Sequence, residues 1–240
     1  MKPGQVGLSV GELRRSWREA EEAGFESVWT FDHLTRVDGG PSYEATALLA
    51  SMAEVTDRVR IGCLVLATGS RRVETLAATM STIDALSEGR LEVGLGAASS
   101  FAKLDFEALG IPYAPWPDRI STYRSAVDRL LELTGPDSPL GSVPVQSPLP
   151  LILGGASKAV RNMAIERQLA WNSSSDSVEE FRKLMSGQSD PQAQIFVRRT
   201  PSIEDAVAAY REAGATRLVL VMTPPIERGD ITTLAHRAGL

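Results

Sequence analysis

The chain has 240 residues, 43% hydrophobic and 23% charged, with a formal net charge of -5 at pH 7. This suits one sizeable domain, residues 1–240, with a substantial core, and the acidic balance argues against a nucleic-acid partner, which needs a basic surface. A single cysteine excludes an intrachain disulfide and two histidines exclude a His-rich metal centre. No run approaches a membrane span and Met1 to Val10 lacks the apolar core of a signal peptide, so no membrane association and a cytoplasmic location are expected.

The first candidate strand, Gln5 to Val10, is short. A helix follows over Glu12 to Ala23, with Leu13, Trp17 and Ala20 on one face, and Glu22-Ala23-Gly24-Phe25-Glu26-Ser27-Val28-Trp29 then reads as helix end, glycine cap, turn and strand. The strand Ser27 to Phe31 runs into Asp32-His33, the best polar constellation in the chain. An imidazole beside a carboxylate can hold one tautomer and a tuned pKa for proton transfer; alternatively, Asp32 caps a loop turn and His33 satisfies a backbone carbonyl. A helix over Tyr43 to Glu54 leads to the strand Arg60 to Val65, where Cys63 reads as a small buried residue rather than a reactive thiol.

Val73, Leu76, Ala77, Met80, Ile83 and Leu86 line one face of a helix over Arg72 to Leu86, which Gly89 stops. The strand Leu91 to Leu95 follows, and two strands joined by one helix must lie parallel. The turn Gly94-Leu95-Gly96-Ala97-Ala98-Ser99-Ser100 is built of small residues, which either admit a flat ligand or reflect crowded loops. After a helix over Asp118 to Leu133 and a spare connector, Gly135 to Pro148, the strand Leu149 to Leu153 enters Gly154-Gly155-Ala156-Ser157. A helix over Ser157 to Gln168 starts at once. Its bare amides make an anion site that Lys158 and Arg161 can reinforce; a tight turn with a Ser cap is the alternative.

The strand Leu169 to Asn172, helix Ser177 to Met185, strand Gln194 to Val197 and helix Ser202 to Ala213 continue the alternation. Glu212-Ala213-Gly214-Ala215-Thr216-Arg217-Leu218-Val219 repeats the first joint and starts the strand Arg217 to Met222. The last helix, Ile226 to His236, carries a histidine that reads as surface or packing. Eight alternating units at this length have the rhythm of a single compact (β/α)8 TIM barrel, ahead of a doubly wound open sheet, and put function on the turns after the strands. Arg71-Arg72 and Arg198-Arg199 both follow strands, so an anionic ligand at the mouth would explain the two pairs, unless they are simply exposed.

The order and spacing of Ala20 to Trp29 leading to Asp32-His33, of Leu86-Ser87-Glu88-Gly89-Arg90-Leu91 within Ile61 to Ser100, and of Leu151 to Ala156 resemble the bacterial luciferase-like oxidoreductases over most of the chain. The resemblance implies a TIM barrel holding FMN or the deazaflavin F420, with hydride or oxygen chemistry on a small organic substrate, and a homodimer. It places cofactor contact and proton transfer on Asp32 and His33, the phosphate on Gly154, Gly155, Ala156 and Ser157, a non-prolyl cis peptide near Leu64-Val65, and the ring against Leu64, Val65, Ala97 and Ala98. F420 is favoured slightly over FMN because of the Asp-His pair and Trp29.

The chain also departs from that pattern. It reads Arg71-Arg72-Val73 where the family often has Arg-His-Pro, and Ala97 and Ala98 stand where some F420 enzymes carry an acidic residue, so one acid/base candidate is missing. A shortened first strand and trimmed loops, including Arg199-Thr200-Pro201, imply an open mouth. A degenerate barrel that binds a flavin-like ligand or a partner without catalysis is the alternative, and a lyase or isomerase acting on a phosphorylated metabolite is a third reading.

Overall fold

The computed structural model describes residues 1–4, 7–35, 42–173 and 177–240. Eight parallel strands, β1 (Lys2–Pro3), β2 (Ser27–Thr30), β3 (Arg60–Ala67), β4 (Leu91–Gly96), β5 (Leu151–Gly154), β6 (Ala170–Ser173), β7 (Pro191–Phe196) and β8 (Arg217–Met222), form one sheet in the order β1-β8-β7-β6-β5-β4-β3-β2. The two edge strands meet where the Trp29 amide donates to the Met1 carbonyl at 2.9 Å, so the sheet is a nearly closed barrel. Around it run α1 (Val10–Glu22), α2 (Ala45–Val55), α3 (Val73–Leu86), α4 (Lys103–Ala108), α5 (Trp116–Thr134), α6 (Lys158–Arg167), α7 (Val178–Leu184), α8 (Ile203–Glu212) and α9 (Asp230–Ala238). The (β/α)8 reading holds.

The alternation follows from how each helix ends. At Gly24 and Gly214 the chain takes φ of +88° and +97°, and the next amide reaches back five residues, Phe25 to Ala20 and Ala215 to Tyr210, closing the same cap twice. The Gly89 joint differs: Glu88 already takes φ +54°, and the Gly89 amide itself makes the five-residue bond to Asp84.

Four expectations need correction. The first strand lies at Lys2–Pro3, paired with Val221 and Met222, not over Gln5 to Val10. Gln5 and Val6 fall outside the described residues, and Val10 opens α1 because Ser9 and Glu12 form a capping box. The strand expected over Gln194 to Val197 runs from Pro191 to Phe196, since a proline is tolerated as a strand's first residue. The last helix starts at Asp230, behind Gly229 at φ +88°, leaving Ile226 as a buried loop residue. The connector after α5 is not spare: Gln146 binds Asp84 through both its main-chain and side-chain amides at 2.8 Å, and receives Arg60 at 2.9 Å.

Most apolar side chains, Cys63 among them, pack between barrel and helices. The barrel interior holds a smaller cluster of Trp29, Leu64, Ile152 and Val219, flanked by Val65 and Ala170. A Cβ added at Gly62 would run into the Trp29 ring, so that glycine makes the room for the indole. Toward the strand starts, Glu92 receives Arg60 and Arg217, a buried carboxylate paired on both sides. Toward the strand ends the interior is polar again: Lys2, Asn172 and Gln194 are all buried there. Among the described residues no helix is long and apolar enough to cross a membrane, and no group of three or more metal-ligating side chains occurs.

Candidate active site at the barrel mouth

The loop after β2 carries Asp32 and His33, but their side chains go to different partners. Asp32, 7% exposed, takes both arms of Arg71, which follows β3, at 2.6 and 2.7 Å, and accepts the Ala67 amide at 3.1 Å. Arg71 also reaches Glu44 at 2.6 Å. A bidentate guanidinium with carboxylates on two sides is a clamp joining the ends of β2 and β3 to the start of α2. Burial opposes the charge of Arg71, and its bonds to Asp32 and Glu44 more than restore it.

His33 instead faces Asp105, with Nδ1 and Oδ2 3.0 Å apart and about a third of the imidazole exposed. Asp105 lies on α4, the short helix that the sequence reading omitted, and accepts the amides of Leu34 and Thr35 at 2.9 and 2.7 Å and the Thr35 hydroxyl at 2.7 Å. Burial pushes its carboxyl up, but Thr35, His33 and these amides hold it below the usual range. An ionised carboxylate only accepts, so the His33 proton sits on Nδ1 and leaves Nε2 as the ring nitrogen able to take a proton. A carboxylate does reach the mouth, from further along the excursion that carries Ala97 and Ala98. Its signal was Ala102 and Phe106 at helical spacing around Asp105, both buried.

The Leu64–Val65 peptide is cis, at the position expected. Val65 lies across the ends of two neighbouring strands: a Cβ on Gly96 or on Gly154 would come within 2.5 Å of its methyl groups, so both glycines are room for this side chain. Ala97 and Ala98 follow β4, both buried, Ala98 at φ +59°. Arg119 donates to the Ala97 carbonyl at 3.2 Å while stacking on Tyr113, and the Tyr113 hydroxyl reaches the Ala98 carbonyl at 3.4 Å.

Beyond Gly154, the Gly155 carbonyl is held by the Trp171 indole at 2.7 Å and its amide by Asn172. Its φ of +137° favours glycine. Ala156 is exposed, and Ser157 caps α6 by accepting the Val160 amide at 3.3 Å. The earlier first-turn amides, of Lys158 and Ala159, have no acceptor inside the helix. The Nε of Arg161, one turn on, is buried with no partner among the described residues. Small residues around Val65 and orphan donors at α6 suit a flat ring bearing a phosphate tail.

The two arginine pairs do not converge as an anion site. Arg71 is taken up by Asp32 and Glu44, Arg72 is 84% exposed, Arg198 donates to the Pro225 carbonyl at 2.6 Å, and Arg199 lies over the Phe196 ring. Cys63 is fully buried and burial pushes its thiol up, which makes it inert. His236 is exposed on α9.

A parallel (β/α)8 barrel with an imidazole–carboxylate pair, a cis strand step and an open helix end at the C-terminal mouth defines a class of barrel enzymes with their site on the strand-end loops. The model of the luciferase-like monooxygenase family matches residues 2–219, and the chain belongs to that family. Its fold recurs in solved structures of an F420-dependent dehydrogenase and of a monooxygenase. It is 33% identical over 111 residues to an F420-dependent glucose-6-phosphate dehydrogenase of Beutenbergia cavernae and 31% over 122 residues to that of Amycolatopsis mediterranei, matching 45% and 50% of this chain. These matches span only 32% and 36% of the relatives' own lengths. An F420-dependent secondary alcohol dehydrogenase in complex with an F420–acetone adduct superimposes with a TM-score of 0.81 at 15% identity, covering 98% of this chain and 97% of that one. Monooxygenase RslO1 from Streptomyces bottropensis gives 0.78 at 18%, with the same coverage. At such identities the likeness is one of fold.

Proposed function

We propose that this protein is an oxidoreductase that binds F420, or in second place FMN, with the ring against Leu64, Val65, Ala97 and Ala98 and the phosphate on Gly154, Gly155, Ala156 and Ser157. The observation that carries the reading is the 3.0 Å contact of His33 with Asp105 at the mouth. The resemblance to enzymes that use F420 supports the choice between the two cofactors.

Bound there, the cofactor supplies hydride transfer or, with oxygen, oxygen insertion. The chain's own contribution is binding and proton handling. The α6 amides, Lys158 and Arg161 hold the anionic tail, while Val65 and the glycines beneath it offer a flat apolar seat. His33 Nε2 takes or gives a proton at the reacting substrate atom, with Asp105 keeping the other ring nitrogen protonated. Asp32 acts through Arg71, fixing the loop that carries His33. The substrate class is a small organic molecule, and assembly as a homodimer belongs to the same proposal, to be tested by light scattering.

Titrating the protein with F420 and with FMN tests the reading: saturable binding of one supports it, and tight binding of neither removes it. His33→Ala should then lower turnover far more than cofactor affinity. Bound cofactor that no substrate ever reoxidises would favour the non-catalytic barrel instead.

A further inference from the structure

Inside the barrel, directly below the cis step, lies a buried cation that proton transfer by His33 leaves unused. Lys2, on β1, is 7% exposed; its Nζ donates to the Leu64 carbonyl at 2.5 Å and to Gln194 Oε1, on β7, at 3.2 Å. Gln194 passes its own amide to Asn172 Oδ1, on β6, at 2.6 Å, and Asn172 Nδ2 is buried with no partner among the described residues. Phe31 covers the ammonium with its ring centroid 5.6 Å away, and that ring in turn meets His33. No carboxylate pairs with Lys2 among the described contacts, so its charge is met there by amide dipoles and the Phe31 ring. That is a costly arrangement for structure by itself.

We propose that Lys2 is a positioning residue for the cofactor ring: by holding the Leu64 carbonyl from below, it places a positive charge under the Leu64–Val65 step that favours the anionic, reduced form of a flavin-type ring lying on that step. The inference rests on the function proposed above and adds a stated job for this side chain. A hydride taken up by a flavin or deazaflavin brings two electrons and one proton, so the added negative charge settles on the pyrimidine end of the ring unless a second proton neutralises it. A nearby buried ammonium binds the anionic reduced form more tightly than the oxidised one. Burial lowers the Lys2 pKa to about 8, with Cys63 on β3 the titratable neighbour that acts on it, and Cys63 itself stays a protonated thiol. Arg217, at the opposite end of β8 from Lys2's partner Val221, is held by Glu92.

By reciprocity, whatever factor Lys2 contributes to reduced over oxidised binding must return as an equal factor in its own proton affinity. The chain has four lysines, Lys2, Lys103, Lys158 and Lys183, so 13Cε-labelled lysine gives few signals, and Lys2→Met identifies the buried one. Wild type and Lys2→Met are compared for binding of oxidised and chemically reduced F420 or FMN, whichever the wild type binds. The expected result is a loss of about tenfold in the reduced-over-oxidised preference in Lys2→Met, about 30 mV for a two-electron couple, with oxidised-form affinity little changed and partial recovery in Lys2→Arg. In the wild type the Lys2 titration should move up by about one pH unit when the bound cofactor is reduced, a measurement that stands even if Lys2→Met does not fold. An unchanged preference, or a Lys2 titration blind to cofactor reduction, would overturn the Lys2 inference alone. Failure of the wild type to bind either cofactor would overturn it together with the proposed function.

Discussion

Replacing Asp105 by Asn keeps the size of the side chain and removes its charge. Oδ1 of Asp105 accepts three bonds, from the Leu34 and Thr35 amides and the Thr35 hydroxyl, and Oδ2 faces His33 Nδ1. With the amide oxygen kept toward the three donors, each bond changes from charge-assisted to neutral and loses about 1 kcal/mol. With partial solvent screening, the sum is about 2 kcal/mol, or roughly 4–8 °C in Tm for a domain of this size. The new NH2 group then points at His33 Nδ1, which must give up its proton to accept, so the proton moves to Nε2 and the ring loses the lone pair that a substrate proton would need. Loss of a positioned general base costs about 10²–10⁴ in rate. Urea melts give the stability, 15N NMR of the imidazole gives the protonated nitrogen, and single-turnover kinetics with bound cofactor give the rate. An Asp105→Asn protein that keeps its proton on Nδ1, or turns over within threefold of wild type, would refute the assignment of Asp105 as the partner that orients His33.

Arg71→Leu leaves Asp32 buried without its counter-ion and should cost about 3–5 kcal/mol, far more than an exposed pair such as Lys183–Glu179, which contributes below about 1 kcal/mol; equal losses in the two urea titrations would count against the clamp. Asp105 and Glu44 are both held below their ordinary values, Glu44 against burial by Thr46, the Ala47 amide and Arg71. Their stabilisation is therefore complete above about pH 5 and lost as pH falls through about 4 and below, so urea midpoints should drop over that range and drop less in Asp105→Asn. Gly155→Ala forces a side chain into φ +137° and should cost about 1–3 kcal/mol, with a larger fractional loss of FMN or F420 affinity than Ala156→Gly; equal affinities would detach the β5–α6 turn from phosphate binding.

The barrel was legible in the sequence because its signals are local. The Gly24 and Gly214 joints repeat within a few residues, and Leu13, Trp17 and Ala20 mark a buried face by spacing alone. The two ends of the sheet were less so: a two-residue β1 is too short to show alternation, and its register comes from Val221 and Met222, more than two hundred residues away. Site residues followed the same division. Asp32 and His33 stand out as a pair because they are adjacent in the chain, yet adjacent strand-end residues point apart, and each finds its partner on a different strand-end segment, Arg71 39 residues on and Asp105 72 residues on. Neither pairing leaves a local trace. Lys2, Asn172 and Gln194 were invisible as a group for the same reason, since three strands must close before they meet.

The most direct measurement is a crystal structure of the protein with F420 or FMN bound at the mouth. The ring should lie against Val65, within reach of His33 Nε2, and the phosphate on the Lys158 and Ala159 amides at the start of α6. A cofactor found elsewhere, for instance in the cleft of about 370 Å³ lined by Leu8, Glu12, Arg15 and Pro224 to Glu227, or a ring turned away from His33, would contradict the proposed function at its centre.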